Sequence, residues 1–160
     1  MSPRPLPPVV RAVVGLALAA WVAVLAFTLL APSAEGPSWL VDTVSRTAAG
    51  VGLPSALTAP ERVEFLLNVA AFVPVSLLGS LLWMQTSWRD WTAGGFAASF
   101  LVELVQAVAL DGRSATHSDV VANTLGALVG AALGALVAGV LRRASSEGRA
   151  DLPDRLTATE

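Results

Sequence analysis

Cysteine is missing from this 160-residue sequence, which removes disulfides, thiolate nucleophiles and cysteine metal sites from consideration. Lysine is missing too: all ten basic residues are arginine, and with the abundant alanine, glycine and valine this points to a GC-rich bacterial genome. Charge is scarce, at 14% of residues, against roughly 25% in a soluble domain. A net charge of −2 and the lack of a basic stripe argue against a nucleic-acid partner. Short alternating apolar segments are also absent, which excludes a membrane β-barrel. The one histidine, His117, has no second ligand beside it. Neither a metal nor any other cofactor is expected.

What is present is apolar residue, 54% of the chain, arranged in blocks. Four blocks reach the length of about 20 residues that a bilayer-spanning helix needs. They predict helices over 10–30, 61–83, 91–110 and 119–141, forming an all-α four-helix bundle in residues 10–141. A short N-terminal segment, 1–9, precedes it, and a polar, disordered tail, 142–160, follows. Block one is too long for a signal-peptide core and lacks a good cleavage site, so it is expected to remain as an anchor. Arginine placement gives the orientation. With the N-terminus inside, Arg4, Arg11, Arg89, Arg142, Arg143, Arg149 and Arg155 lie inside, and only Arg46, Arg62 and Arg113 outside. Both termini are therefore expected in the cytoplasm of a bacterial, multi-pass cytoplasmic-membrane protein.

The longest connection, Pro32 to Pro60, is expected outside. There Ser38 can cap a short interfacial helix with Trp39, Leu40, Val44 and Ala48 on one side and Asp42, Ser45 and Arg46 on the other. Thr58 to Glu61 reads as a capping box for the second spanning helix. Trp83, Trp88 and Trp91 mark the inner turn between the second and third, where aromatic belts form.

Polar residues interrupt the last three blocks. At 1.5 Å per residue, Asn68 lies roughly 10 Å inside the outer end of its helix and Glu103 roughly 12 Å inside the end of its own. Gln106 is one turn nearer that end, Asp119 stands at the mouth of the last helix and Asn123 one turn in. All converge on the outer half of the bilayer, so one polar pocket opening outward is the economical reading. Gly126, Gly130 and Gly134 make a stripe that lets a neighbouring backbone come close. Pro74 frees the carbonyl of Ala70 and predicts a kink. An ionised Glu103 costs roughly 2.5–3.5 kcal/mol on insertion scales. It is either protonated or paired, and an Arg113 pair with Glu103 or Asp119 is the structural explanation. Asn68 and Asn123 have a structural alternative too, as hydrogen-bonding glue between helices.

Three stretches carry a resemblance to a known family: Asn68-Val-Ala-Ala-Phe-Val-Pro74, then Glu103-Leu-Val-Gln106 with Gly112-Arg113, then Asp119-Val-Val-Ala-Asn123-Thr-Leu-Gly126 with Gly130. In order and spacing they resemble the VanZ-like family of small bacterial membrane proteins, over about Glu61 to Leu141. Val75 and Ser76 stand where members often carry a glycine after the proline, the nearest here being Gly79. The resemblance implies a four-helix envelope protein and a link to teicoplanin-type glycopeptide tolerance; it implies no reaction.

The leading expectation is a protein that binds or modulates an envelope component through Asn68, Glu103, Gln106, Arg113, Asp119 and Asn123. Its partners would be the bilayer and an envelope lipid, a lipid-linked precursor or a glycopeptide. One alternative is a membrane enzyme acting on such a lipid, with Glu103 and Asp119 as the acid/base pair. No nucleophile triad supports it, so the expectation leans away from an enzyme. The other alternative is a purely structural bundle, homo-oligomeric through the glycine stripe.

Overall fold

The computed structural model of the protein describes residues 6–30, 35–109 and 117–150. Six helices account for nearly all of them: α1 (Pro8–Leu30), α2 (Glu35–Gly50), α3 (Ser55–Thr58), α4 (Pro60–Leu82), α5 (Trp88–Ala109) and α6 (His117–Ala150). Among the described residues there is no strand. Four helices are long and apolar enough to cross a membrane, over Pro8–Leu29, Pro60–Leu82, Trp88–Val108 and His117–Leu141. The predicted spans fall inside these four helices or within a residue or two of their ends.

The bundle is inside-out relative to a water-soluble protein. Leu101, Leu104, Val108, Phe100 and Leu136 are all exposed, while the buried apolar core consists of Val63, Phe72, Ala122, Ala127, Ala131 and Ala138. Lipid solvates leucine as well as another helix does, so small side chains that allow close backbone approach are what select the interface. Helix α6 lies between α4 and α5 and packs most closely on α4; α1 rests on α4 and only touches α5. No described side chain of α1 is buried.

The glycine stripe meets α4 directly. A Cβ on Gly126 would strike the carbonyl of Val69, one on Gly130 the carbonyl of Val73 and the Ser76 hydroxyl, and one on Gly134 the Ser80 hydroxyl. On α5, Gly95 makes the same kind of approach to Ala127. Gly79, after Pro74, receives the ring of Trp91. Pro74 sits inside α4, whose carbonyls near it are served by side chains. Trp21 Nε1 donates to Ala71 O at 2.8 Å, and Ser76 Oγ lies 3.4 Å from the carbonyl oxygens of Phe72 and Val73. Neighbouring helices and serines are the usual means of tolerating proline in a spanning helix.

Several local expectations are corrected. Helix α2 has 16 residues and Ser38 lies inside it, so Ser38 is not its cap. Its faces are also redistributed: Ser45 is buried, Val44 and Ala48 are half-buried beside it, and Trp39 is 65% exposed. The helix packs on α3 and α4, a contact that favours the small serine and turns the bulky indole away. Helix α2 ends in a Schellman motif at Gly52, whose φ of 85° is the left-handed conformation glycine supplies. Gly52 N bonds Ala49 O at 3.0 Å and Leu53 N bonds Ala48 O at 3.2 Å.

The capping box at Thr58 is not formed: Ala59 is the N-cap of α4 without a side-chain bond, and Pro60 opens the helix. Thr58 closes α3 instead. A capping pair does exist at α5, where Ser87 N donates to Asp90 Oδ2 at 2.9 Å and Asp90 N to Ser87 Oγ at 3.3 Å. Trp88 and Trp91 consequently belong to the first turns of α5, and only Trp83 lies before it. Helix α6 continues to Ala150, nine residues into the segment expected to be a disordered tail. Residues 151–160 lie outside the described ones.

Candidate functional site

Three side-chain amides stitch all four spanning helices together near one end of the bundle. Asn68 Nδ2 on α4 donates to Asp119 Oδ1 on α6 at 2.7 Å. Asn123 Nδ2, one turn deeper on α6, donates to Ser99 Oγ on α5 at 2.8 Å. Gln106 Nε2 on α5 donates to the carbonyl of Leu29, at the end of α1, at 2.6 Å. The order of attachment is therefore α4–α6–α5–α1.

The helical repeat explains why these groups can meet. Ser99, Glu103 and Gln106 are separated by four and three residues, so they share one face of α5. That face is the buried one: Ser99 is 0%, Glu103 9% and Gln106 5% exposed. Asp119 and Asn123 are likewise four apart on α6, and Asn123 is 3% exposed. Ala127 continues this side of α6 against Gly95, whose lack of a side chain brings α5 close enough for the Ser99–Asn123 bond. The neighbouring stripe of Gly126, Gly130 and Gly134 brings α4 equally close on the other side. The packing surfaces and the polar groups thus depend on the same short interhelical spacing.

The amide oxygen of Asn123 is left over. Asn123 Oδ1 is buried and has no hydrogen-bond partner among the described residues. A buried acceptor without a donor costs about 1–3 kcal/mol. Nearer the surface, Glu64 shares the local field of Asp119 and Glu61, with Arg62 beside them at the start of α4. Both glutamates are exposed.

Of the residues singled out by sequence, Asn68, Glu103, Gln106, Asp119 and Asn123 are described here and occupy this end of the bundle. Arg113 lies outside the described residues, so its pairing with Glu103 or Asp119 does too. Asp119 spends one carboxylate oxygen on Asn68. His117 is exposed at the start of α6. Among the described residues no group of His, Cys, Asp and Glu has the spacing for a metal ion.

Ser99 was not anticipated. Its sequence signal is faint: a small hydroxyl one turn before Glu103, in a helix whose one threonine, Thr92, turns its hydroxyl to its own backbone at Trp88 O, 2.8 Å away. The Leu29 carbonyl had no signal at all, being backbone. A cavity of about 150 Å3 lies at the opposite end, beside Arg11 and Trp83.

The VanZ/LLP1 family matches the chain over residues 14–138. That interval begins in α1 and ends in α6, taking in every member of the amide chain. No curated protein and no solved structure matches the sequence.

Proposed function

The chain belongs to the VanZ/LLP1 family of membrane proteins, and on that premise we propose that it binds or modulates a component of the bacterial envelope through the polar end of its bundle. The observation that carries this reading is Asn123 Oδ1, without a hydrogen-bond partner among the described residues and held within a buried cluster that also contains Ser99, Glu103 and Gln106. Polar and ionisable groups inside a membrane protein are costly and usually serve function. A packing-only interface has no use for an acceptor without a donor. The neighbouring carboxylates of Glu61, Glu64 and Asp119 favour a ligand rich in hydrogen-bond donors or carrying an amino group. A lipid-linked precursor or a glycopeptide of the teicoplanin type has that chemistry. With the arginine-rich end inside, this end faces the cell exterior, where such molecules are met.

The test uses Asn123→Ala and Glu103→Gln variants brought to wild-type abundance in the membrane. Binding of a glycopeptide or lipid-linked precursor is expected to weaken by roughly 10-fold or more, the effect of losing one hydrogen bond to a charged or buried group. Unchanged binding and an unchanged glycopeptide tolerance in both variants would exclude the proposal.

A second reading, the structural bundle, draws on the amide chain itself, since Asn68, Asn123 and Gln106 each tie two helices. It predicts the opposite ranking. Gly130→Leu would abolish the phenotype through loss of the folded protein, and Glu103→Gln would leave it intact.

A further inference from the structure

The end of the bundle opposite the amide chain has its own chemistry. A cavity of about 150 Å3 opens there, lined by Leu6, just before α1, by Arg11 in the first turn of α1, by Leu81 and Leu82 at the end of α4, and by Trp83, Met84 and Gln85 just beyond it. One water needs about 10–15 Å3 of such space, so a group many times larger fits. Arg11 has no carboxylate partner among the described residues, and its position, three residues into α1, adds to the positive end of that helix's dipole. The same end carries Arg89, set over the Trp88 ring at 5.3 Å, and Arg143, just past the apolar part of α6. Asp90, by contrast, is engaged by Ser87.

The cavity's depth identifies what reaches it. The span Pro8–Leu29 has 22 residues, about 33 Å at 1.5 Å per residue, close to the ~30 Å hydrocarbon thickness. Arg11 and Trp83 therefore sit where the hydrocarbon gives way to headgroups. Trp83 and Trp91, with centroids 6.2 Å apart, form the aromatic anchor expected at that level. Leu81 and Leu82 continue the wall toward the bilayer interior.

We propose that this cavity is a binding site for the phosphodiester headgroup of an anionic phospholipid. Arg11 binds the phosphate, Gln85 hydrogen-bonds the headgroup, and the acyl chains run along the exposed apolar surfaces of α1 and α4. Free phosphate shares the phosphate chemistry but has no acyl chain for that surface to hold. The site is separate from the amide chain and does not depend on the function proposed for it.

The experiment releases the purified full-length chain from nanodiscs of equal parts phosphatidylglycerol and phosphatidylcholine and counts retained lipid by native mass spectrometry. Wild-type protein retains phosphatidylglycerol selectively. Arg11→Gln reduces that selectivity about fivefold, the effect of one arginine at an anionic surface, while Arg62→Gln, at the other end, leaves it unchanged. Leu81→Trp fills the cavity without changing charge and also abolishes selectivity. The proposal is overturned if Leu81→Trp retains phosphatidylglycerol like the wild type, because Arg11 is then only a surface charge. Equal losses from Arg11→Gln and Arg62→Gln overturn it as well. So does displacement of the lipid by inorganic phosphate, which assigns the site to a free anion.

Discussion

At the scale of single residues, Asn123 is where stability and function should separate. Its amide nitrogen holds Ser99 at 2.8 Å, but its oxygen has no partner among the described residues. Interhelical hydrogen bonds in membranes average about 0.6 kcal/mol, and removing the orphaned acceptor offsets part of the loss. We expect Asn123→Ala to change unfolding free energy in detergent by less than about 1 kcal/mol while ligand binding collapses. A stability loss several times larger, with binding retained, would assign Asn123 to the frame. Asn68 responds differently. Asn68→Asp sets a second carboxylate against Asp119 in place of a donor 2.7 Å away. We expect it to be more damaging than Asn68→Ala, because like charges at contact repel where alanine merely leaves a gap. Thermal unfolding of both variants at neutral pH checks the order.

At the scale of helices, two adjacent glycines give opposite expectations. Gly94 has nothing within 4 Å of where a Cβ would stand, whereas a Cβ on Gly95 would strike Ala127. Gly94→Ala should stabilise α5 by up to about 1 kcal/mol through helix propensity. Gly95→Ala should cost about 1–3 kcal/mol through overpacking and loosen the Ser99–Asn123 contact. Parallel unfolding curves in mixed micelles measure both. The pair also marks what sequence could and could not reveal about this element. The length of α5 was legible from hydropathy, and the shared face of Glu103 and Gln106 from their spacing. The difference between Gly94 and Gly95 was not, because it depends on which side α6 takes. Helix α2 teaches the same lesson more sharply. Its apolar residues suggested that Trp39 and Leu40 lie with Val44, but contact with α4 selected Ser45 and left Trp39 outside.

At the scale of the whole molecule, attachment is uneven. Helices α4, α5 and α6 share a buried interface, whereas α1 is held by surface contacts and by hydrogen bonds that include Trp21 to Ala71 O and Gln106 to Leu29 O. We expect Trp21→Phe combined with Gln106→Leu to release α1 while leaving the other three together. With a protease site engineered between α1 and α2, cleaved α1 should separate on size exclusion in the double variant and co-elute in the parent. The four-helix architecture and the position of the polar end were legible because hydropathy and helical rise require no tertiary information. The amide chain was only half legible. Sequence supplied Asn68, Asp119, Asn123 and Gln106, while their partners Ser99 and Leu29 emerged only from packing.

The Asn68–Asp119 bond joins residues separated by 51 positions. At synthesis rates of 5–20 residues per second, those positions take about 3–10 s to make. Throughout that interval the carboxylate that will hold Asn68 has not yet been made, and Asp119 reaches the membrane later than Asn68 by the same delay. The first partner available to Asn68 is therefore water at the membrane surface or the insertion machinery. The closest helix pair in the mature bundle cannot form until the last spanning segment arrives, which makes α6 the element that commits the nascent chain to its final arrangement.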